Sequence, residues 1–279
     1  MNAEACPDLA AARDLLGPQA HWLATGASCV VFTNGPQVAR LGLGTYARLR
    51  VQVQLQQALA GAGVPVARVL EAGALASGRA YSVEVRLHGD GGAPTGAGWA
   101  DLGQALQALH ALPHSGFGLL EDRPDRLKGQ ATSAAEGLLT RLSGGWPLTP
   151  APLTEEPLVA AAPDLCAPLA RREAALRALP AGRGVVSHTD LHAGQVLWRG
   201  GRLAGLLDFG DAAVGPVVWD SASLAFFHGW AASEAAGLPG GRDAALMGVL
   251  LAIHRARRAR TAGQLARAVT FARMCLTRR

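Results

Sequence analysis

Strand signals crowd the first ninety residues and give way to helical periodicity afterwards, and that change limits the folds open to this chain. Ala24–Ser28 leads into the β-branched run Cys29-Val30-Val31-Phe32, and Asn34-Gly35-Pro36 separates it from a second run, Gln37–Leu41. Asn-Gly between two such runs predicts a hairpin whose loop the proline lengthens. Leu49–Ala60 has helical spacing and stops at Gly61 and Gly63, while Val64–Leu70 and Arg79–Leu87 read as further strands. Gly89–Gly98 is a glycine-rich link. Beyond it, Trp99–Leu112 places Leu102, Leu106 and Leu109 on one helical face before Pro113, and Leu119–Ser143 and Leu165–Leu179 continue the helical pattern around the proline-rich Trp146–Pro157. Short apolar strands return only at Gly184–Ser187, Val196–Trp198 and Leu203–Leu207, and from Ser221 the chain is helical again. The pattern predicts an α+β protein with a small antiparallel β lobe over 1–88 and a larger, mainly helical lobe over 89–279.

Composition narrows the chemistry. The 279 residues are 49% apolar and 17% charged, which excludes a disordered chain. Of 26 cationic residues, Lys128 is the only lysine, so any reaction needing a lysine must use that one or an arginine. Eight arginines and no acid lie between His254 and Arg279; the rest of the chain carries 18 basic against 21 acidic residues, a net of −3. Aromatic interleaving is absent from the arginine-dense half of that segment, which reads as a solvated helix face rather than a nucleic-acid or membrane contact. Cys6, Cys29, Cys166 and Cys275 are widely spaced and imply reduced thiols. Met1–Leu16 lacks a signal-peptide core, and the apolar stretch Ala244–Ile253 is short and interrupted by Gly248, so a soluble cytoplasmic protein is expected.

Reactive side chains concentrate in Ser187-His188-Thr189-Asp190-Leu191-His192-Ala193-Gly194-Gln195 and in Asp208-Phe209-Gly210-Asp211. Between them, two short strands flank the turn Arg199-Gly200-Gly201, so a hairpin brings Gln195 and Asp208 together. A carboxylate that accepts a hydroxyl proton, with two oxygen ligands for a hard cation, suits phosphoryl transfer. The spacing matches the kinase pattern H-x-D-x-x-x-x-N followed by D-F-G, with Gln195 at the asparagine position. A different chemistry is also written there: His188, Asp190 and His192 alternate as a strand-borne metal site would, joined by Asp208. That hydrolase reading lacks the further histidine cluster it would need. Asp220 and Asp211 read as loop-building or substrate-facing acids, and His110 and His114 as a helix cap or surface feature.

These motifs resemble the aminoglycoside phosphotransferase-like kinases, a family with choline, fructosamine and homoserine kinase relatives and a two-lobed protein-kinase-like fold. The resemblance extends to Trp219-Asp220-Ser221-Ala222, to Leu106–Gly118 and to Gly61–Leu70. It implies an ATP-dependent transfer of the γ-phosphoryl group to a hydroxyl of a sugar, glycated amine, antibiotic or similar metabolite. Asp190 is then the catalytic base and His188 a brace for its loop. Gln195 and Asp208 hold Mg2+; Gly26, Ala27 and Ser28 cover the nucleotide; Arg40 pairs with phosphates; and Val85 offers backbone groups to adenine. Two departures stand out. Gln195 is a methylene longer than asparagine, and no acid lies between Gly42 and Leu70, so Gln52 stands near where the family has its helix glutamate. They motivate a second reading, a nucleotide-binding pseudokinase. The acid-free C-terminal arginines favour a neutral or anionic acceptor over a polycation, in a monomer or homodimer.

Overall fold

The computed structural model describes residues 7–26, 28–44, 48–179 and 182–278. In chain order its helices and strands are α1 (Pro7–Leu16), β1 (His21–Thr25), β2 (Cys29–Thr33), β3 (Gln37–Gly42), α2 (Leu49–Gly61), β4 (Val69–Ala74) and β5 (Ala80–Val85). There follow α3 (Gly96–His110), β6 (Phe117–Leu120), β7 (Gly129–Ala131), α4 (Ala134–Leu142), α5 (Pro157–Ala161), α6 (Cys166–Ala170), α7 (Glu173–Ala178) and β8 (Gly184–Ser187). The chain ends with β9 (Val196–Arg199), β10 (Arg202–Leu206), β11 (Ala213–Pro216), α8 (Trp219–His228), α9 (Trp230–Ala235), α10 (Gly241–Arg257) and α11 (Ala262–Thr277).

Two compact units result. The first comprises 1–94 with two later returns, 121–127 and 194–210; the second holds 95–120, 128–193 and 211–279. Unit 1 is a five-stranded antiparallel sheet in the order β1-β2-β3-β5-β4, plus the β9–β10 hairpin. Helix α1 covers one part of the sheet, closing a core of Leu9, Ala12, Leu16, Phe32, Ala39, Leu41 and Val83. Helix α2 buries Leu55 and Leu59, one turn apart, and stops where Gly63 takes φ +78°, a left-handed conformation suited to glycine. The segment 121–127 belongs here because Asp122 Oδ1 accepts the N–H of Val51 at 3.0 Å, satisfying a first-turn donor of α2.

Unit 2 is mainly helical around a four-stranded sheet, β7-β6-β11-β8. Its core gathers Leu138, Trp146, Leu158, Leu169, Trp219, Met247, Leu250 and Phe271. Twelve of the seventeen residues of α10 are buried, so this helix is a central strut rather than an amphipathic surface helix. Thr95 caps α3, its Oγ1 accepting the Gly98 N–H at 3.2 Å. Among the described residues no helix is long and apolar enough to cross a membrane.

The architecture is the α+β arrangement expected from the sequence, with local differences. The helical reading of Leu119–Ser143 holds only for its last third. Gly118 (φ +81°) leaves no room for a Cβ beside the Gly137 carbonyl, so the chain before α4 forms β6 and β7 instead. The strand expected over Val64–Leu70 begins at Val69, because Pro65 has no N–H for a ladder; its carbonyl accepts from Leu206 N at 2.9 Å. β11 is too short, and too close to a proline, to be read from periodicity, yet it lies between β6 and β8 in the sheet.

Candidate active site

In unit 1 the β9–β10 turn has Gly200 at φ +56° and Gly201 at φ +72°, two left-handed residues as a tight hairpin requires. Its register pairs Arg199 with Arg202 and Val196 with Leu206, and Leu207 N donates to Gln195 O at 2.8 Å. The open end therefore carries Gln195 and Asp208 side by side. Gln195 Nε2 donates to Asp208 Oδ2 at 3.0 Å, and Gly210 N reaches Asp208 Oδ1 at 3.4 Å. Asp208 itself sits at φ +58°, an uncommon backbone state for a residue with a side chain. An amide and a carboxylate supply hard oxygens, the donor type that suits magnesium.

Arg40 lies on β3, the middle strand of the five, where only a paired cation is tolerated. Its Nε meets Glu84 Oε2 of the neighbouring β5 at 3.4 Å, and Ser82 Oγ donates to the other carboxylate oxygen at 2.8 Å. Burial pulls the Arg40 pKa down, but the charge of Glu84 and the proximity of Cys29 and Asp208 outweigh it and the net shift is upward. The acid missing from α2 is thus replaced by one from the sheet. Gln52 is buried with its Nε2 lacking a hydrogen-bond partner, and that nitrogen lies 3.2 Å from where a Cβ would stand on Gly210.

The other residues expected at the nucleotide are dispersed along this unit. Gly26 and Ser28 belong to the β1–β2 turn, where Gly26 N donates to Cys29 O at 2.9 Å; Ala27 lies outside the described residues. Val85 ends β5, and its N–H donates to Arg68 O at 2.9 Å. That amide is therefore engaged, leaving only other backbone groups near the end of β5 for a base.

In unit 2 the loop after β8 is pinned from below. Asp220, fully buried on α8, accepts the N–H of His188 at 3.0 Å, the N–H of Thr189 at 2.8 Å, and Nε2 of His110 at 2.9 Å. Burial alone would raise the Asp220 pKa, but His110, His188 and the Thr189 amide hold it below the usual carboxylate range. Thr189 is β-branched and yet left-handed at φ +67°. Such strain persists only where the surroundings over-determine it, and here Thr189 Oγ1 also donates to Asp211 O at 2.8 Å while accepting from Arg141 Nε at 3.2 Å. This conformation turns the chain so that Asp190, next in line, keeps a side chain 20% exposed.

Asp190 Oδ1 is met by Arg255 of α10 at 2.6 Å. Burial works to raise the Asp190 pKa; the charge and hydrogen bond of Arg255, then Arg141 and His192, overcome it and keep the group ionised. Arg141 of α4 pairs with Asp211 Oδ2 at 2.8 Å. His254 completes this layer: Nδ1 lies 2.7 Å from Leu142 O, and Nε2 3.4 Å from Arg141 Nη1. Burial and the neighbouring Arg141 push its pKa down to about 3, so it is the neutral tautomer that donates to Leu142 and accepts from Arg141.

Several sequence readings change. His110 is an inward partner of Asp220 rather than a cap or surface feature. Asp220 builds the loop, and Asp211 is tied to Arg141. The C-terminal arginines are not a uniform solvated face, because Arg255 holds Asp190, Arg257 holds the buried Glu156, Arg273 holds Asp164 and Arg278 holds Glu234. Arg255, Arg141 and Glu84 were missed as site residues; the arginine excess after His254 bears only on Arg255. Among the described residues, no three of His, Cys, Asp and Glu gather as metal donors.

Comparison with curated protein sequences returns no match. Solved structures resemble the chain at low identity. A thermostable mutant of aminoglycoside phosphotransferase APH(4)-Ia, in a ternary complex with ADP and hygromycin B, is 17% identical with a TM-score of 0.65, covering 96% of this chain and 97% of that one. The GDP complex of wild-type aminoglycoside 2'-phosphotransferase-IIIa is 16% identical with a TM-score of 0.66, covering 99% of each chain. These show a shared fold. A family model described as the phosphotransferase enzyme family matches residues 30–259, most of the sequence. The chain belongs to the phosphotransferase enzyme family.

Proposed function

We propose that this phosphotransferase moves the γ-phosphoryl group of ATP to a hydroxyl of a small molecule in the cytoplasm, with Asp190 as the base. The observation that carries the reading is an ionised carboxylate displayed on a strained loop whose backbone amides are fixed by the buried Asp220. Such a group is pre-positioned to accept the acceptor hydroxyl's hydrogen bond, and little reorganisation is needed when the proton moves.

The acceptor oxygen forms a bond to the γ-phosphorus as the bond to the bridging oxygen breaks; ADP keeps that electron pair, and the hydroxyl proton passes to Asp190. His188 braces the loop. Arg40, held by Glu84, meets the phosphates as a bidentate cation that stays charged. Gly26 and Ser28 of the β1–β2 turn cover them, and backbone groups near the end of β5 other than the engaged Val85 N–H meet the base. Gln195 and Asp208 are the residues that would hold magnesium, which when bound neutralises phosphate oxygens.

Asp190→Ala is expected to lower magnesium- and ATP-dependent product formation by about 100- to 10,000-fold, measured as ADP release with an active acceptor. Unchanged turnover would remove Asp190 from this role. A second reading, the nucleotide-binding pseudokinase, draws on Gln52, with its unpartnered Nε2, in place of a helix acid. Thermal-shift titration separates the two: ATP binding indifferent to magnesium supports the pseudokinase.

A further inference from the structure

The base is already occupied by a cation, and around it cations are in excess. Arg255 Nη2 lies 2.6 Å from Asp190 Oδ1, with both side chains partly open to solvent, 25% and 20% exposed. Its Nε is buried without a hydrogen-bond partner, so one donor of the fork is unmatched. The guanidinium is also stacked: its carbon lies 5.0 Å from the ring centre of Phe227 and 5.6 Å from that of Phe226, and His192 packs edge-on against Phe227 at 5.7 Å. Arg141 feels two carboxylates, Asp211 and Asp190, against two further guanidiniums, Arg255 and Arg258. Around Arg141 that makes three guanidiniums to two carboxylates; Asp220, behind the loop, is taken up by His110 and the His188 and Thr189 amides, and His254, neutral above about pH 3, adds no charge.

A polycationic acceptor would approach a carboxylate that is already neutralised, through a field of the wrong sign. An acceptor with its own anionic group meets the reverse situation. A flat, stacked guanidinium with a quarter of its side chain open to solvent is matched to a planar carboxylate or a phosphate. When such a group takes Arg255, Asp190 loses its partner and is left to the hydroxyl.

Resting on the phosphotransferase reading, we infer that the acceptor is a hydroxyl compound bearing a carboxylate or phosphate, that Arg255 is its specificity-determining residue, and that anion binding draws Arg255 away from Asp190. The Asp190–Arg255 pair is then a resting contact that an anionic acceptor exchanges for itself, and a neutral or cationic alcohol does not.

Two measurements on the full chain test this. The first is calorimetric titration of gluconate, D-glycerate and glycerol phosphate, alongside glucose, glycerol and glucosamine, into protein saturated with a non-hydrolysable ATP analogue and magnesium. The second is ADP release with ATP and the same panel. The anions should be preferred by roughly 100-fold or more, with the carboxylate and phosphate arms showing which anion fits. Arg255→Gln should raise Kd and KM for the preferred anion roughly 100-fold while leaving KM for ATP unchanged, and Arg255→Lys should recover part of the loss. Equal thermal stability of the two variants excludes misfolding as the cause. Binding of none of the anions, equal use of the neutral or cationic members, or an Arg255→Gln variant with unaltered anion affinity each overturns the inference. The phosphotransferase reading fails separately, if ATP binds without regard to magnesium and no compound elicits ADP release.

Discussion

In unit 1, Arg40 and Glu84 meet diagonally on adjacent strands of one sheet; in unit 2, Asp190 on a loop and Asp211 at the end of a short 3-10 turn are met by Arg255 and Arg141 reaching from helices. The first pair is 14% and 3% exposed at its side chains, the Asp190 pair 25% and 20%. Strand register fixes the first, since both residues hang from a hydrogen-bonded ladder with almost no freedom to part. The second depends on a long helical side chain whose rotamers remain available and whose partner touches water. Desolvation makes a sheet-held ion pair costly to break, whereas a pair partly open to water exchanges partners at lower cost. In the proposed reaction the difference gives them different tasks: one cation held still for a constant cosubstrate, and another free to trade its carboxylate for an incoming ligand.

The comparison breaks most clearly at Arg40. Arg40→Ala leaves Glu84 buried without its counter-charge and should destabilise the protein by about 3–5 kcal/mol in urea unfolding, with ATP turnover abolished or its KM sharply raised. Adding Glu84→Gln should restore much of the stability but none of the nucleotide affinity; recovery of both would show that Arg40 serves packing alone. Next in size is Asp220→Asn, which weakens charge-assisted bonds from His188 N, Thr189 N and His110. About 2–3 kcal/mol of stability should be lost, and turnover should fall through kcat, because the Asp190 loop is no longer held in its strained form.

The smallest effect probes the layer behind Arg141. The folded-state pKa of His254 lies at about 3, below its unfolded value, so protons bind preferentially to the unfolded chain as pH falls. Its contribution is constant above about pH 6.5 and is lost progressively from there towards pH 3, reaching about 2 kcal/mol by pH 5. Urea midpoints measured between pH 7.5 and 5 should follow that curve, and His254→Gln should flatten it. A slope that survives the substitution would trace to other groups.

What could be read in advance followed chain proximity. Asp190, Gln195 and Asp208 lie within nineteen residues of one another, and the glycines of a two-residue turn suffice to bring Gln195 to Asp208. The lone lysine pointed to Arg40 as the expected phosphate cation, and the gap in acids from Gly42 to Leu70 left it either paired elsewhere or unpaired. It could not say where, because Glu84, which pairs with Val38, comes diagonally within reach of Arg40 only through strand register. The β6–β7 excursion was misread as helix for a similar reason: Gly118 and Gly129 are defined by the backbones they touch, which local periodicity does not encode.

By itself the sequence determined the α+β division, the phosphotransferase motifs and the hairpin, since each depends on side-chain period or on turn chemistry between near neighbours. Only the tertiary structure decided which charges meet. Arg255 lies sixty-five positions beyond Asp190, and His110 and Asp220 are a hundred and ten apart. Ionic partners at such separations are chosen by helix packing and burial, which bring a long side chain to a carboxylate that water no longer screens.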